Sequence, residues 1–242
     1  MIILVSLAAF VCTLLGGLFA LRFKDKLHLI LGFSAGAVIA VAFFDLIPEA
    51  IELGGGYDVS TITSIVAAGF IFYMILDRFV ILHSHSHNHE GEVNHEHTPR
   101  GTLGAGSLAV HSFLDGAAIG LAFQVSAAVG MIVTVAVLVH DFSDGINTVN
   151  LILKNHGSKT NAFRWLLIDA LAPILGIVST LFFSLSESVL GIVLAVFAGF
   201  FLYIGASDLL PESHHSHPTR WTTFMTIVGV LVLFFAIQLA GH

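Results

Sequence analysis

The chain has 242 residues, of which 10% are Asp, Glu, Lys or Arg and 56% are hydrophobic, including 21 Phe; its mean hydropathy is +0.94. Soluble domains carry about 25% charged residues because charge must cover their surface, so this composition excludes a soluble protein and implies an integral membrane one. The 9 Lys and Arg stand against 16 Asp and Glu, a formal charge of −7, which argues against nucleic acid as a partner and for a cationic substrate.

The first apolar run, Ile2 to Leu21, lacks a basic flank before it and reads as a retained span rather than a cleaved signal peptide. It holds Cys12, the one cysteine, which excludes an intramolecular disulfide and a cysteine-based metal cluster. A membrane helix needs about 20 apolar residues. Seven further runs of that kind follow: Leu29 to Leu53, Thr61 to Leu82, Thr102 to Gln124, Ala127 to Leu153, Phe163 to Phe183, Val189 to Leu210 and Trp221 to Leu239. The fourth and fifth form one long stretch that must divide near Gln124-Val125-Ser126, since its length exceeds a single crossing. The expected fold is an all-α membrane protein of eight transmembrane helices. Residues 1–242 then make one polytopic domain, with 83–100 a flexible cytoplasmic His-rich loop.

Basic residues test that count. Arg22, Lys24 and Lys26 follow span 1; Arg78 and Arg100 flank the loop after span 3; Lys154, Lys159 and Arg164 lie between spans 5 and 6; Arg220 precedes span 8. All nine fall at odd-numbered loops, where a wrong span count would have scattered them. The positive-inside rule makes those loops cytoplasmic and puts both termini on the outer side of a plasma or inner membrane. Trp165 and Trp221 then sit at the cytoplasmic interface.

Asp45-Leu46-Ile47-Pro48-Glu49 near the end of span 2 is nearly repeated by Asp208-Leu209-Leu210-Pro211-Glu212 near the end of span 7. These spans cross in opposite directions. The match suggests an inverted repeat of spans 1–3 and 6–8 around a central hairpin of spans 4 and 5, a device of transporters. Read alone, the pentapeptide is also a plain helix terminator.

Ionisable groups at membrane depth cost about 2.5 to 3.5 kcal/mol each on insertion scales, and spans 4 and 5 hold His111, Asp115, His140, Asp141 and Asp144. His111 to Gly116 and His140 to Gly145 share the pattern H-x-F-x-D-G. Positions four apart lie on one helical face, about 6 Å apart along the axis. In an antiparallel hairpin the two His meet at one level, with Asp115 a turn outward and Asp144 a turn inward, so the expectation is a polar path of about 12 Å. Asp141 points about 100° away from His140 and could hold a second ion, with Ser112 a weak oxygen ligand; Gly116, Gly120 and Gly145 would let helices approach closely. Imidazole and carboxylate without thiolate suit Zn²⁺, Fe²⁺, Mn²⁺ or Co²⁺. The alternative is that protonated acids simply tie helices together by hydrogen bonds.

With these residues the chain resembles the ZIP (Zrt/Irt-like) family of divalent-metal transporters over essentially its whole length, in its spans, outer termini, His-rich loop after span 3 and paired H-x-x-x-[DEH]-G motifs. The resemblance implies a two-metal transport site: His111, Asp115, His140 and Asp144 at one position, Ser112, Asp141 and Asp144 at the other. It implies metal entering the cytoplasm by an elevator-like movement of the bundle containing spans 4 and 5. Zn²⁺ is the implied substrate, with Fe²⁺, Mn²⁺, Co²⁺ and Cd²⁺ as further candidates. The implied partners are metal ions and the lipid bilayer, without nucleic acid, and a homodimer is compatible with the sequence. Some positions depart from the pattern. Asp144 stands where many relatives have His or Glu, and Ser112 where Asn is common. Where some carry Glu before a span 6 Pro, Ala172 precedes Pro173, and Asp169, a turn earlier, becomes a candidate ligand.

Asp45 and Glu49 near the outer end of span 2 suggest an entrance, and Asp208 and Glu212, with His214, His215 and His217 beyond, an exit. His83, His85, His87, His89, His95 and His97 form a tract suited to weak, exchangeable metal binding or to a dispensable linker. The expected function is transport, not catalysis. An intramembrane zinc hydrolase has no H-E-x-x-H motif here, and a cation-diffusion exporter fits the central hairpin poorly.

Overall fold

The computed structural model describes residues 2–22, 27–85, 98–155, 157–215 and 220–240, and these are helical apart from short turns. Among the described residues, eight helices are long and apolar enough to cross a membrane. Their order is Ile2–Arg22; Leu27–Val41 continuing through Ala42–Leu46 and Ile47–Leu53; Val59–His85; Thr98–Val125; Ala127–Lys154; Lys159–Ser179; Glu187–Tyr203 continuing through Ile204–Leu209 and Leu210–His215; and Arg220–Ala240. The expected division of spans 4 and 5 holds. Val125 ends one helix, and extended Ser126 starts the next by accepting a hydrogen bond from the Val129 N–H at 3.1 Å.

The two D-L-x-P-E segments do not stop their helices. Each begins inside a wide π turn, Ala42–Leu46 and Ile204–Leu209, which the Ile47 N–H closes by donating to the Ala42 carbonyl and the Leu210 N–H by donating to that of Gly205. Proline cannot donate a helical hydrogen bond and its ring displaces the carbonyl four residues earlier; a five-residue turn absorbs both effects without breaking the helix.

Spans 1, 4, 5 and 6 form one bundle and spans 2, 3, 7 and 8 another. Span 4 packs on span 6 as span 5 packs on span 1, and span 3 packs on span 7 as span 8 packs on span 2. Exchanging 1 with 6, 2 with 7, 3 with 8 and 4 with 5 maps this pattern onto itself, as the inverted repeat requires. Reciprocal glycines make the crossings. A methyl on Gly116 would collide with the Pro173 carbonyl and one on Gly176 with that of Phe113; Gly145 and Gly16 stand in the same relation to Thr13 and Phe142. Gly36 and Gly229 join spans 2 and 8 in this way, Gly69 and Gly199 spans 3 and 7. In lipid the hydrophobic effect gives little attraction between helices, so such backbone approach carries much of the packing.

Burial follows the same plan. Spans 2, 5 and 7 are the most enclosed and spans 3 and 8 the least. The outer surfaces of the latter expose Ile71, Phe72 and Ile75, and Trp221, Phe224 and Ile227, an apolar coat suited to acyl chains.

Candidate metal site

Four side chains of the central hairpin converge. His111, Asp115, His140 and Asp144 each offer a donor atom, these atoms all lie within 4.8 Å of one another, and all four residues are buried. One oxygen, Asp115 Oδ2, lies 3.1 Å from Nε2 of both His111 and His140. Asp144 Oδ2 lies 3.5 Å from His111 Nε2 and 4.0 Å from His140 Nε2. Ligands at about 2.0 to 2.2 Å from a tetrahedral Zn²⁺ stand about 3.3 Å from each other, so the spacing fits one divalent ion with small adjustments. The Nδ1 of each His is engaged elsewhere, His140 to the Ala136 carbonyl at 3.0 Å and His111 to the Tyr73 hydroxyl at 2.7 Å. Such outer contacts orient an imidazole toward a metal.

This corrects the expectation of a 12 Å polar path. Helix rise separates Cα atoms, but Cα–Cβ bonds tilt toward the helix N-terminus. Asp115 and Asp144 therefore reach back toward the His one turn earlier, and because the helices are antiparallel both carboxylates arrive at the same level.

The other candidates divide. Asp169 is buried beside the cluster; its Oδ1 accepts from the Ser112 hydroxyl at 2.7 Å and its Oδ2 from Thr148 at 2.8 Å. Ser112 and Asp169 are thus tied to each other rather than grouped with the four donors. Asp141 is fully buried and neither of its oxygens has a hydrogen-bond partner; it lies within electrostatic reach of Asp115, Asp144 and Asp169. Such a carboxylate is costly unless a cation or proton joins it. Asp45 is 3% exposed and belongs to the π turn of span 2, and Glu49 is half-buried. The side chains of His83, His85, Asp208, Glu212, His214 and His215 lie outside the described residues, as do His87, His89, His95, His97 and His217 entirely.

Three neighbours were not anticipated. Thr148 had a signal, because 140, 144 and 148 repeat every four residues on one face. Tyr73 and Asp77 had a fainter one, two polar groups a turn apart in an apolar span. They line a cavity of about 590 Å³ together with Ser107, His111 and Trp165. It runs between spans 3, 4 and 6 from His111 toward the helix ends nearest Arg78 and Arg100. Toward the opposite face, Ala118, Ile119, Ala122, Val133 and Ala136 are buried in a continuous apolar core with Leu194 and Phe201.

Comparison with known proteins places the chain among membrane transporters of one family. The sequence model of the family described as ZIP zinc transporters matches residues 1–107 and 82–237. Zinc transporter foi of Drosophila melanogaster is 31% identical over 161 residues, covering 63% of this chain and 23% of that protein. Zinc transporter YKE4 of Saccharomyces cerevisiae is 25% identical over 226 residues, 81% of this chain and 65% of its own length. The human zinc transporter ZIP6 is 29% identical over 136 residues, 54% of this chain and 18% of its own. The chain thus spans less than two thirds of each of these relatives.

Proposed function

Since the chain belongs to the ZIP zinc transporter family, we propose that it carries divalent metal, chiefly Zn²⁺, across a plasma or inner membrane into the cytoplasm. The convergence of two imidazoles and two carboxylates within 4.8 Å carries this reading. Among the described residues the ion-pair partners of Asp115 and Asp144 are His111 and His140, with no Lys or Arg among them, and imidazole with carboxylate suits a borderline divalent cation. The termini face outward and the basic loops inward on this reading. The cavity below His111 is then a route to the cytoplasm, with Asp77 along it, and the apolar core beyond the cluster is the outer seal. Asp141 with Asp144 would hold a second ion, while Ser112 and Thr148 steady Asp169 beside it. Alternating access comes from sliding of spans 1, 4, 5 and 6 against spans 2, 3, 7 and 8, which the separate packing of the two bundles supports.

The test is zinc uptake by purified protein in sealed proteoliposomes, with Fe²⁺, Mn²⁺ and Cd²⁺ as competitors. Saturable uptake that disappears in a His140→Ala, Asp144→Ala double variant is expected. Uptake by that variant at the wild-type rate would refute the site.

A further inference from the structure

A contact outside the cluster links metal binding to the arrangement of the two bundles. His111 belongs to the bundle of spans 1, 4, 5 and 6. Its ring meets Tyr73 edge-on, with centroids 5.8 Å apart at 76°, and its Nδ1 lies 2.7 Å from the Tyr73 hydroxyl. Tyr73 belongs to the other bundle and is held there by span 7. Its ring packs on Phe200 at 5.1 Å and on Tyr203 at 5.5 Å, and Tyr203 in turn donates a hydrogen bond to Asp77, one turn along span 3 from Tyr73, at 2.8 Å. The hydroxyl therefore reaches across the boundary between bundles from a fixed aromatic group.

We propose that Tyr73 is a positioning residue that orients His111 for metal only while the bundles stand as they do here. The inference rests on the transport reading above. A metal-binding Nε2 must present its lone pair, so the ring proton resides on Nδ1 and is donated to the phenol oxygen. With no metal bound, Nε2–H can face Asp115 while the phenol O–H turns to donate to Nδ1. A hydroxyl serves in both roles by rotation, and in each it keeps Nε2 directed at Asp115 and Asp144. His140 has a different support, the carbonyl of Ala136 in its own helix, which travels with it when the bundle slides. His111 cannot take Tyr73 along. Its orientation is therefore a property of one access state and is lost in the other.

Partners that orient a metal-binding imidazole typically change affinity by about 10-fold to 100-fold when removed. The measurement is half-saturation by zinc at each face, from unidirectional influx and efflux in proteoliposomes of sorted orientation. Tyr73→Phe retains the ring contacts with Phe200 and Tyr203 and removes only the hydroxyl. The expected result is half-saturation raised about 10-fold at the cavity face and unchanged at the opposite face, whereas loose packing would shift both. Equal shifts at the two faces, or none, would overturn the inference while His111→Ala still loses transport and so sustains the site. If the wild-type protein moves no zinc, the transport reading falls and the inference with it. Should Tyr73→Phe fail to accumulate, Tyr73→Leu is read by the same asymmetry.

Discussion

Asp115 reaches across the central hairpin to His140, its Oδ2 3.1 Å from the imidazole Nε2, while the same oxygen stands 3.1 Å from His111 on its own helix. A single carboxylate oxygen thus sits between the two imidazoles that would share a cation with it. Asp115→Asn preserves shape and removes the charge. It is expected to reduce zinc uptake by more than 10-fold, the scale on which metal-site partners act, with the protein still inserted and monodisperse. Uptake within twofold of wild type would show that Asp115 does not hold the ion.

Helix crossings should respond to single methyl groups. Gly116→Ala would place its Cβ against the Pro173 carbonyl, which is backbone and cannot swing aside, whereas Gly56→Ala meets nothing within 4 Å. Overpacking of this kind costs about 1 to 3 kcal/mol. The first variant should lose thermal stability in detergent and the second should not. Equal melting of both variants would contradict the packing described for spans 4 and 6.

Asp169 accepts from Ser112 and Thr148 in a fully buried setting. Thr148→Val keeps the shape and removes one donor, at a cost of about 1 to 3 kcal/mol for a buried acceptor left unsatisfied. Thermal stability of the variant measured without metal reports this, and an unchanged midpoint would mean that the carboxylate finds another partner.

Asp58, at the start of span 3, accepts hydrogen bonds from the Thr61 side chain and from the Thr61 N–H at 3.1 Å. These bonds hold its carboxyl below the ordinary range. A depressed folded value stabilises above the unfolded pKa, about 3.9, and that contribution is lost as pH falls through the folded value. Asp58→Ala should therefore melt earlier than wild type at neutral pH, and the two should approach each other in acid. A gap constant from pH 7 to about pH 3 would assign it to something other than charge.

The buried cluster offers a complete set of four donors without help from the loop after span 3. Replacing His83, His85, His87, His89, His95 and His97 by Ser is expected to leave most zinc uptake intact in proteoliposomes. Loss of more than nine tenths of the rate would make the tract part of the transport route.

Much of this architecture is legible in the residues. Charge is scarce in a bilayer because each buried charge is expensive, so spans appear as uninterrupted apolar runs and the loops as places where Arg and Lys collect. His111, Asp115, His140 and Asp144 stand out for the same reason. The repeated D-L-x-P-E and the matched H-x-F-x-D-G are visible because sequence similarity survives inversion of a half. The reciprocal glycines were legible only for span 4 and span 5, since Gly16, Gly36, Gly69, Gly176, Gly199 and Gly229 look like ordinary small residues until their partners are known.

Periodicity along one helix assigns a residue to a face and a level, and for spans 4 and 5 that is enough to group the four side chains whose donor atoms lie within 4.8 Å of one another. It could not give their convergence at one level, because that depends on the tilt of Cβ and the reach of each carboxylate in an antiparallel pair. Nor could it pair Ser112 with Asp169, leave Asp141 without a hydrogen-bond partner, or set Tyr73 against His111. Those relations join helices distant in the chain, and they follow from how two inverted bundles pack against each other, which no local pattern encodes.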